Sequence, residues 1–178
     1  MNIELYVDRQ AADRAGAAAI TALTEAATRA TFYREDLTGE QIASNRRIVA
    51  ISAATCLAAA SNDHQRFAAA FVGDAFAGYV IATVHAPDSL ELDWMMVHPD
   101  FHGTSVAGAL MEAGIGWLGE DRPLWLNVIR HNERAIRFYR KFGFEIDPAA
   151  VTDHVIPHAI MRRAPGVAGS ETTKLGLS

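Results

Sequence analysis

Apolar positions along the chain change their period twice. Ile3, Leu5 and Val7 alternate with Glu4 and Tyr6, which predicts a short strand over residues 2–7. Between residues 11 and 31 alanine dominates, and Ile20, Leu23 and Ala27 fall on one helical face, so this segment reads as a single helix. Thr38 followed three residues later by Gln41, with Leu37 and Ile42 on either side, has the pattern of a capped helix start, and the helix should run through Ile51 to Ala60. After Gln65 the period turns to two. Strands are predicted over residues 66–72, 75–85 and 90–97, joined by turns at Gly73-Asp74 and Ala86-Pro87-Asp88 to make an antiparallel meander.

The helical period then returns. Val106, Leu110, Ala113 and Trp117 mark a helix over residues 105–118, interrupted by Gly108, Gly114 and Gly116, which let it lie close against a sheet. A strand over residues 123–129 precedes a helix over 132–142 that has Asn132 as its N-cap and Gly143 as its stop. Short strands over 144–146 and 158–161 close the pattern. Strands, then helix, strand, helix and strands, imply a mixed α/β (α+β) sheet with helices on its faces. Residues 1–163 are expected to form one domain. Residues 164–178 have no period and read as a loose C-terminal tail.

The stretch from Leu90 to Leu110 organises the rest. Its strand carries Glu91 and Asp93 at alternate positions, which puts both carboxylates on one face, and Pro99 and Gly103 punctuate the turn that follows. That turn feeds straight into a helix N-terminus. The unpaired N–H groups of residues 103–107, backed by the positive end of the helix dipole, suit a pyrophosphate.

Composition narrows the field. With a formal net charge of -5 and no basic cluster beyond pairs such as Arg140-Lys141, the chain lacks the footprint of a nucleic-acid binder. No stretch is apolar enough to span a bilayer, and the N-terminus lacks the pattern of a signal peptide, so a cytoplasmic protein is expected. Cys56 is the sole cysteine, which excludes an intrachain disulfide. His98 with His102, and His154 with His158, have the spacing of a helical zinc site, but Pro99 and Pro157 fall inside these pairs, and no metal is expected.

The run VHPDFHGTSVAGALM resembles the acetyl-CoA-binding motif of the GNAT superfamily of N-acetyltransferases: Gln or Arg, two residues, Gly, one residue, then Gly or Ala. The register falls on His102, Ser105 and Ala107, so two of the three positions depart from the commonest choice. The run NVIRHNERAIRFYRKFGF is similar to the family's other motif at Asn132, Ala135, Phe138, Tyr139, Gly143 and Phe144. The resemblance implies the acyl-CoA N-acyltransferase fold, a mostly antiparallel sheet flanked by helices on both faces, whose central strand and the strand over 123–129 splay apart around the cofactor. It implies an enzyme that moves an acetyl group from acetyl-CoA to an amine by direct attack, the acceptor being a small molecule or a peptide or protein amine. A homodimer is compatible with it, and neither nucleic acid nor membrane is an expected partner. Cofactor contacts are expected at Met96, Val97, His102, Gly103, Thr104, Ser105, Val106, Ala107 and Asn132. Tyr139 is expected to protonate the departing thiolate, with Glu91, or next Asp93, as base. The alternative is a non-catalytic acyl-CoA-binding protein on the same fold, motivated by Ser105 in the glycine slot.

Overall fold

The structure, a computed structural model, describes residues 1–166, so most of the expected tail, residues 167–178, lies outside the described residues. β1 (Glu4–Val7) leads directly into α1 (Asp8–Ala15). The single helix expected over residues 11–31 is two helices: α1 and α2 (Ala17–Phe32) are divided at Gly16, whose φ of 76° and ψ of 150° suit a residue without Cβ. α3 (Gly39–Ala59) begins as its sequence implies. The Thr38 hydroxyl accepts from the Gln41 N–H at 3.2 Å, and the Gln41 side-chain carbonyl accepts from the Thr38 N–H at 3.0 Å. The amide end of Gln41 also reaches across to donate to the Val155 carbonyl at 3.2 Å.

β2 (Gln65–Val72), β3 (Ala75–Ala86) and β4 (Ser89–Val97) form the meander. A 3₁₀ turn over Pro99–Phe101 links β4 to α4 (Val106–Leu118), and β5 (Leu124–Ile129), α5 (Glu133–Arg140), β6 (Phe144–Ile146) and β7 (His158–Arg163) follow. Among the described residues the sheet has seven strands in the order β1-β2-β3-β4-β5-β7-β6, and of these pairings only β4 with β5 is parallel. One face buries Leu90, Leu92, Leu126 and Phe144 under α4 and α5, and the other buries Phe67, Tyr79 and Ile81 under α1, α2 and α3. Both faces are thus covered, as the alternation of each strand requires.

β4 does not alternate regularly. Ile81 pairs with Trp94 and Ala82 with Leu92, which leaves Asp93 as an extra residue opposite β3. The apolar phase slips there: Leu90 and Leu92 face the α4 side, and beyond the bulge that side is taken by Met95 and Val97 while Trp94 and Met96 turn to the other.

The expected close approach of α4 to the sheet occurs at one of its glycines. A Cβ on Gly114 would lie 2.5 Å from Leu92 Cδ2, whereas Gly108 and Gly116 face open space. Overpacking of this kind costs about 1–3 kcal/mol, and relief of helical glycine entropy returns up to about 1 kcal/mol. We therefore expect Gly114→Ala to lower the melting temperature and Gly116→Ala to raise it, by about 2–4 °C per kcal/mol in a chain of this size. Thermal melts of the two variants check this, and a Gly114→Ala protein as stable as the parent would mean that the helix has room to rise off the sheet.

Candidate active site

β4 and β5 pair at one register position, Glu91 with Trp125, and part beyond it. A cleft of about 1800 Å³ occupies the space between them, walled by Met95, Met96 and Val97 on one strand and Val128 and Ile129 on the other. Past the vertex the β5-facing edge of β4 has no strand partner among the described residues, so its backbone groups can meet an extended ligand as they would meet another strand. The splay implied by the resemblance is therefore present.

At the vertex stand the two carboxylates. Glu91 is buried, 5% exposed, and held from both sides: Asn127 Nδ2 on β5 donates to its Oε1 at 3.2 Å, and His85 Nε2 on β3 lies 2.6 Å from its Oε2. Asp93, two residues on and so on the same face, accepts from the Thr83 hydroxyl at 3.1 Å, and that hydroxyl accepts in turn from Gln65 Nε2 at 3.1 Å. Burial, and then the neighbouring Asp93, raise the Glu91 carboxyl above its ordinary range against the opposing pull of His85 and Asn127. Burial likewise raises Asp93 against the Thr83 bond. The charged groups acting on the pair are each other and His85; no Lys or Arg among the described residues neutralises them. Asn127 Oδ1 is buried at the same vertex without a hydrogen-bond partner among the described residues.

The other end of the cleft is built for the opposite charge. Gly103 takes a φ of 78° in the turn before α4. Thr104 fastens that turn: its hydroxyl donates to the Phe101 carbonyl at 2.7 Å and accepts from the Val106 N–H at 3.3 Å. Ser105 occupies the N-cap position but its side chain makes no capping bond. With the Thr104 and Val106 N–H groups engaged inside the turn, those of Gly103, Ser105, Ala107 and Gly108 donate to no group among the described residues. The backbone φ of −76° at Ser105 lies outside the left-handed region, so a serine stands in the glycine slot without backbone strain.

His102 ties this turn to α5. Its Nε2 is 3.1 Å from the Val97 carbonyl and its Nδ1 is 2.9 Å from an Arg134 guanidinium nitrogen. A carbonyl only accepts and a guanidinium only donates, so the ring carries its proton on Nε2 and is neutral. Burial, Arg134 and His98 all push its pKa down, in agreement. Arg134 lines the cleft beside the free N–H groups and has no counterpart among the sequence-derived candidates. A cation in the first turn of a helix opposes the dipole, and that misplacement was the available signal. Asn132 caps α5 as expected, its Oδ1 accepting from the Ala135 N–H at 3.2 Å.

Tyr139 sits on the cleft wall between Phe138 and Phe144, its ring centroid 5.6 Å from the first and 6.4 Å from the second. Burial pushes its phenol up to about 12, so it holds its proton at any physiological pH. Phe32, Asn45, Trp94 and Ile156 also line the cleft. His85, absent from the sequence-derived candidates, is the direct partner of Glu91. The signal was in the hairpin: residues 83 and 85 on one strand and 91 and 93 on the next share a face. Cys56 is buried with its thiol raised to about 12, as befits a core residue. Among the described residues, no helix is long and apolar enough to cross a membrane, and no three His, Cys, Asp or Glu side chains converge as metal ligands.

Comparison with known proteins bears on this arrangement. A model of the acetyltransferase (GNAT) family matches residues 20–144. Proteins of Mycobacterium bovis and Mycobacterium tuberculosis, described as uncharacterized N-acetyltransferases, are 36% identical over 72 residues, which cover 39% of this chain and 46% of theirs, so the chain spans about half the length of these relatives. The crystal structure of the PaiA N-acetyltransferase from Thermoplasma acidophilum in complex with coenzyme A superposes with a TM-score of 0.68 at 20% identity, covering 92% of this chain and 99% of that one. An acetyltransferase from Staphylococcus aureus gives 0.65 at 14% identity, covering 91% and 98%. These likenesses establish a shared fold, including the mixed sheet with helices on both faces.

The two carboxylates, Glu91 buried and Asp93 part-buried, have a measurable cost. The folded state holds their protons more tightly than the unfolded chain does, so their contribution to stability is full below the unfolded pKa values and is lost as the pH rises through the raised ones. We expect Glu91→Gln with Asp93→Asn to raise the melting temperature at pH 8, and the gain to shrink as the pH is lowered through the raised values. Melts across pH 4 to about pH 8 check this; a double variant less stable than the parent at the alkaline end would refute the assigned burial cost.

Proposed function

The chain belongs to the GNAT acetyltransferase family, and from that premise we propose that it transfers an acetyl group from acetyl-CoA to an amine by direct attack of the nitrogen on the thioester, with no covalent enzyme intermediate. The observation that carries this reading is the cleft itself, which joins a set of free N–H groups and a guanidinium at one end to two unneutralised carboxylates at the other, with a protonated phenol on the wall.

In this reading the Gly103, Ser105 and Ala107 N–H groups and Arg134 hold the diphosphate, while Thr104, Val106 and His102 keep the turn in shape. Asn132 fixes the start of α5 beside them. Met96 and Val97 offer the unpartnered edge of β4 to the amides of the pantetheine arm. Asn127 Oδ1, an acceptor lacking a donor, finds one in a substrate N–H at the vertex.

The acceptor enters as a cation. An alkylamine with an ordinary pKa near 10.4 is neutral in roughly one molecule in 2,500 at pH 7, so a base must take a proton before attack. Glu91 is that base and Asp93 adds the field that draws the ammonium in. Burial favours the step because a raised carboxyl accepts a proton more readily than an exposed one. Tyr139 donates to the sulfur as the carbon–sulfur bond breaks. The non-catalytic alternative drew its motive from Ser105, and the unstrained backbone there supports binding at that slot.

Calorimetric titration with CoA should give a dissociation constant in the micromolar range, weakened about tenfold or more by Arg134→Ala. A flat titration of the parent removes the anchor. Release of thiol from acetyl-CoA with a pool of primary amines tests the chemistry, and binding without release selects the non-catalytic alternative. Tyr139→Phe should lower kcat by about 10²-fold with the KM for acetyl-CoA little changed, and Glu91→Gln should lower kcat and remove the acidic limb of the pH profile.

A further inference from the structure

A base closed off from water must give up its proton before it can act again. Glu91 is 5% exposed, and two side chains hydrogen-bond to it. The Asn127 amide donates to one oxygen and does not titrate. Asp93 makes no hydrogen bond to Glu91; its bonded neighbour is the Thr83 hydroxyl and beyond that the Gln65 amide, neither of which titrates near neutral pH.

His85 is different. Its Nε2 lies 2.6 Å from Glu91 Oε2, while its side chain is 45% exposed, so one imidazole spans the boundary between the buried carboxylate and solvent. The ring is held flat against Trp125, centroids 5.7 Å apart and planes 26° apart, and Trp125 is itself fixed by an indole N–H donated to Ser89 Oγ at 3.2 Å. β3 and β4 slip register between Val84 and Ala86, which places His85 at the irregularity. The groups facing the pair are Asp93 and Ser89 on β4, Thr83 on β3, and Trp125 and Asn127 on β5. Asp93 carries the one further charge among them.

We infer that His85 is the proton exit of this site, a positioning and relay residue that takes from Glu91 the proton removed from the acceptor and delivers it to water. The inference rests on the reading of Glu91 as the base. Converting a protonated amine to an amide removes two protons from nitrogen. One passes to Glu91, then through the 2.6 Å bond to His85 Nε2, and leaves the imidazolium for solvent. The other balances the proton that Tyr139 gives to the thiolate, so that the products are the amide, the CoA thiol and one proton in solution. No oxidant or further reactant is needed.

The test compares His85→Gln and His85→Ala with the parent and with Glu91→Gln, using acetyl-CoA and an amine that the parent acetylates. Gln keeps a donor for Glu91 but carries no titratable proton; Ala leaves a gap that free imidazole can fill. We expect both variants to lose about tenfold or more in kcat near pH 7, with the KM for acetyl-CoA unchanged and the acidic limb of the pH profile altered, and imidazole in the buffer to restore His85→Ala and not Glu91→Gln. Full activity and an unaltered pH profile in His85→Gln overturn the relay while leaving Glu91 as base. An equal loss at every pH without rescue by imidazole also overturns it, since that is the mark of a packing role. If Glu91→Gln keeps the parent's rate and profile, the base assignment fails and the relay with it, and a parent that acetylates no amine removes both.

Discussion

Strands in a sheet satisfy each other's backbone groups, and β4 forgoes that partner on one side immediately after the Glu91–Trp125 pair. The parting is tolerable because the other elements hold the two strands independently. β4 is fastened along its far edge to β3, and β5 to β7. α4 lies tight against the sheet at Gly114, where the absence of a side chain lets the helix descend onto Leu92. What remains is a slot with hydrogen-bonding edges and a closed end, and the polar groups of the site are distributed along it.

The distribution follows from local rules. A helix N-terminus preceded by a fastened turn leaves N–H groups free at one end, so negative charge is favoured there. At the other end the two-residue period of β4 places Asp93 alongside Glu91 in surroundings that disfavour ionisation of both. A cation arriving beside them relieves repulsion and desolvation together. The site is thus polarised along its length, with each end adverse to the charge that the other prefers.

Much of this was legible in the chain. The capping box at Thr38, the meander, the Asn132 cap and the Gly143 stop, whose φ is 82°, were carried by short-range patterns whose physics is local. The break at Gly16 was not read, because the alanine-rich helical composition continues across it and a lone glycine marks the division. The bulge had a trace in the sequence, since apolar positions shift from Leu90 and Leu92 to Met95 and Val97. The pairing of His102 with Arg134 and the parting of β4 from β5 join segments about 30 residues apart, and no periodicity of either segment encodes their relation. The motif resemblance supplied the splay where periodicity could not, and it left His85 and Arg134 unmarked.

Gln41 serves two structures with one side chain, closing the start of α3 through its carbonyl and holding the Val155 carbonyl through its amide. Val155 and Ile156 belong to a segment that lines the cleft. Fraying of that helix terminus would therefore loosen part of the cleft's rim as well, so a substitution at position 41 reaches two places that lie far apart along the chain.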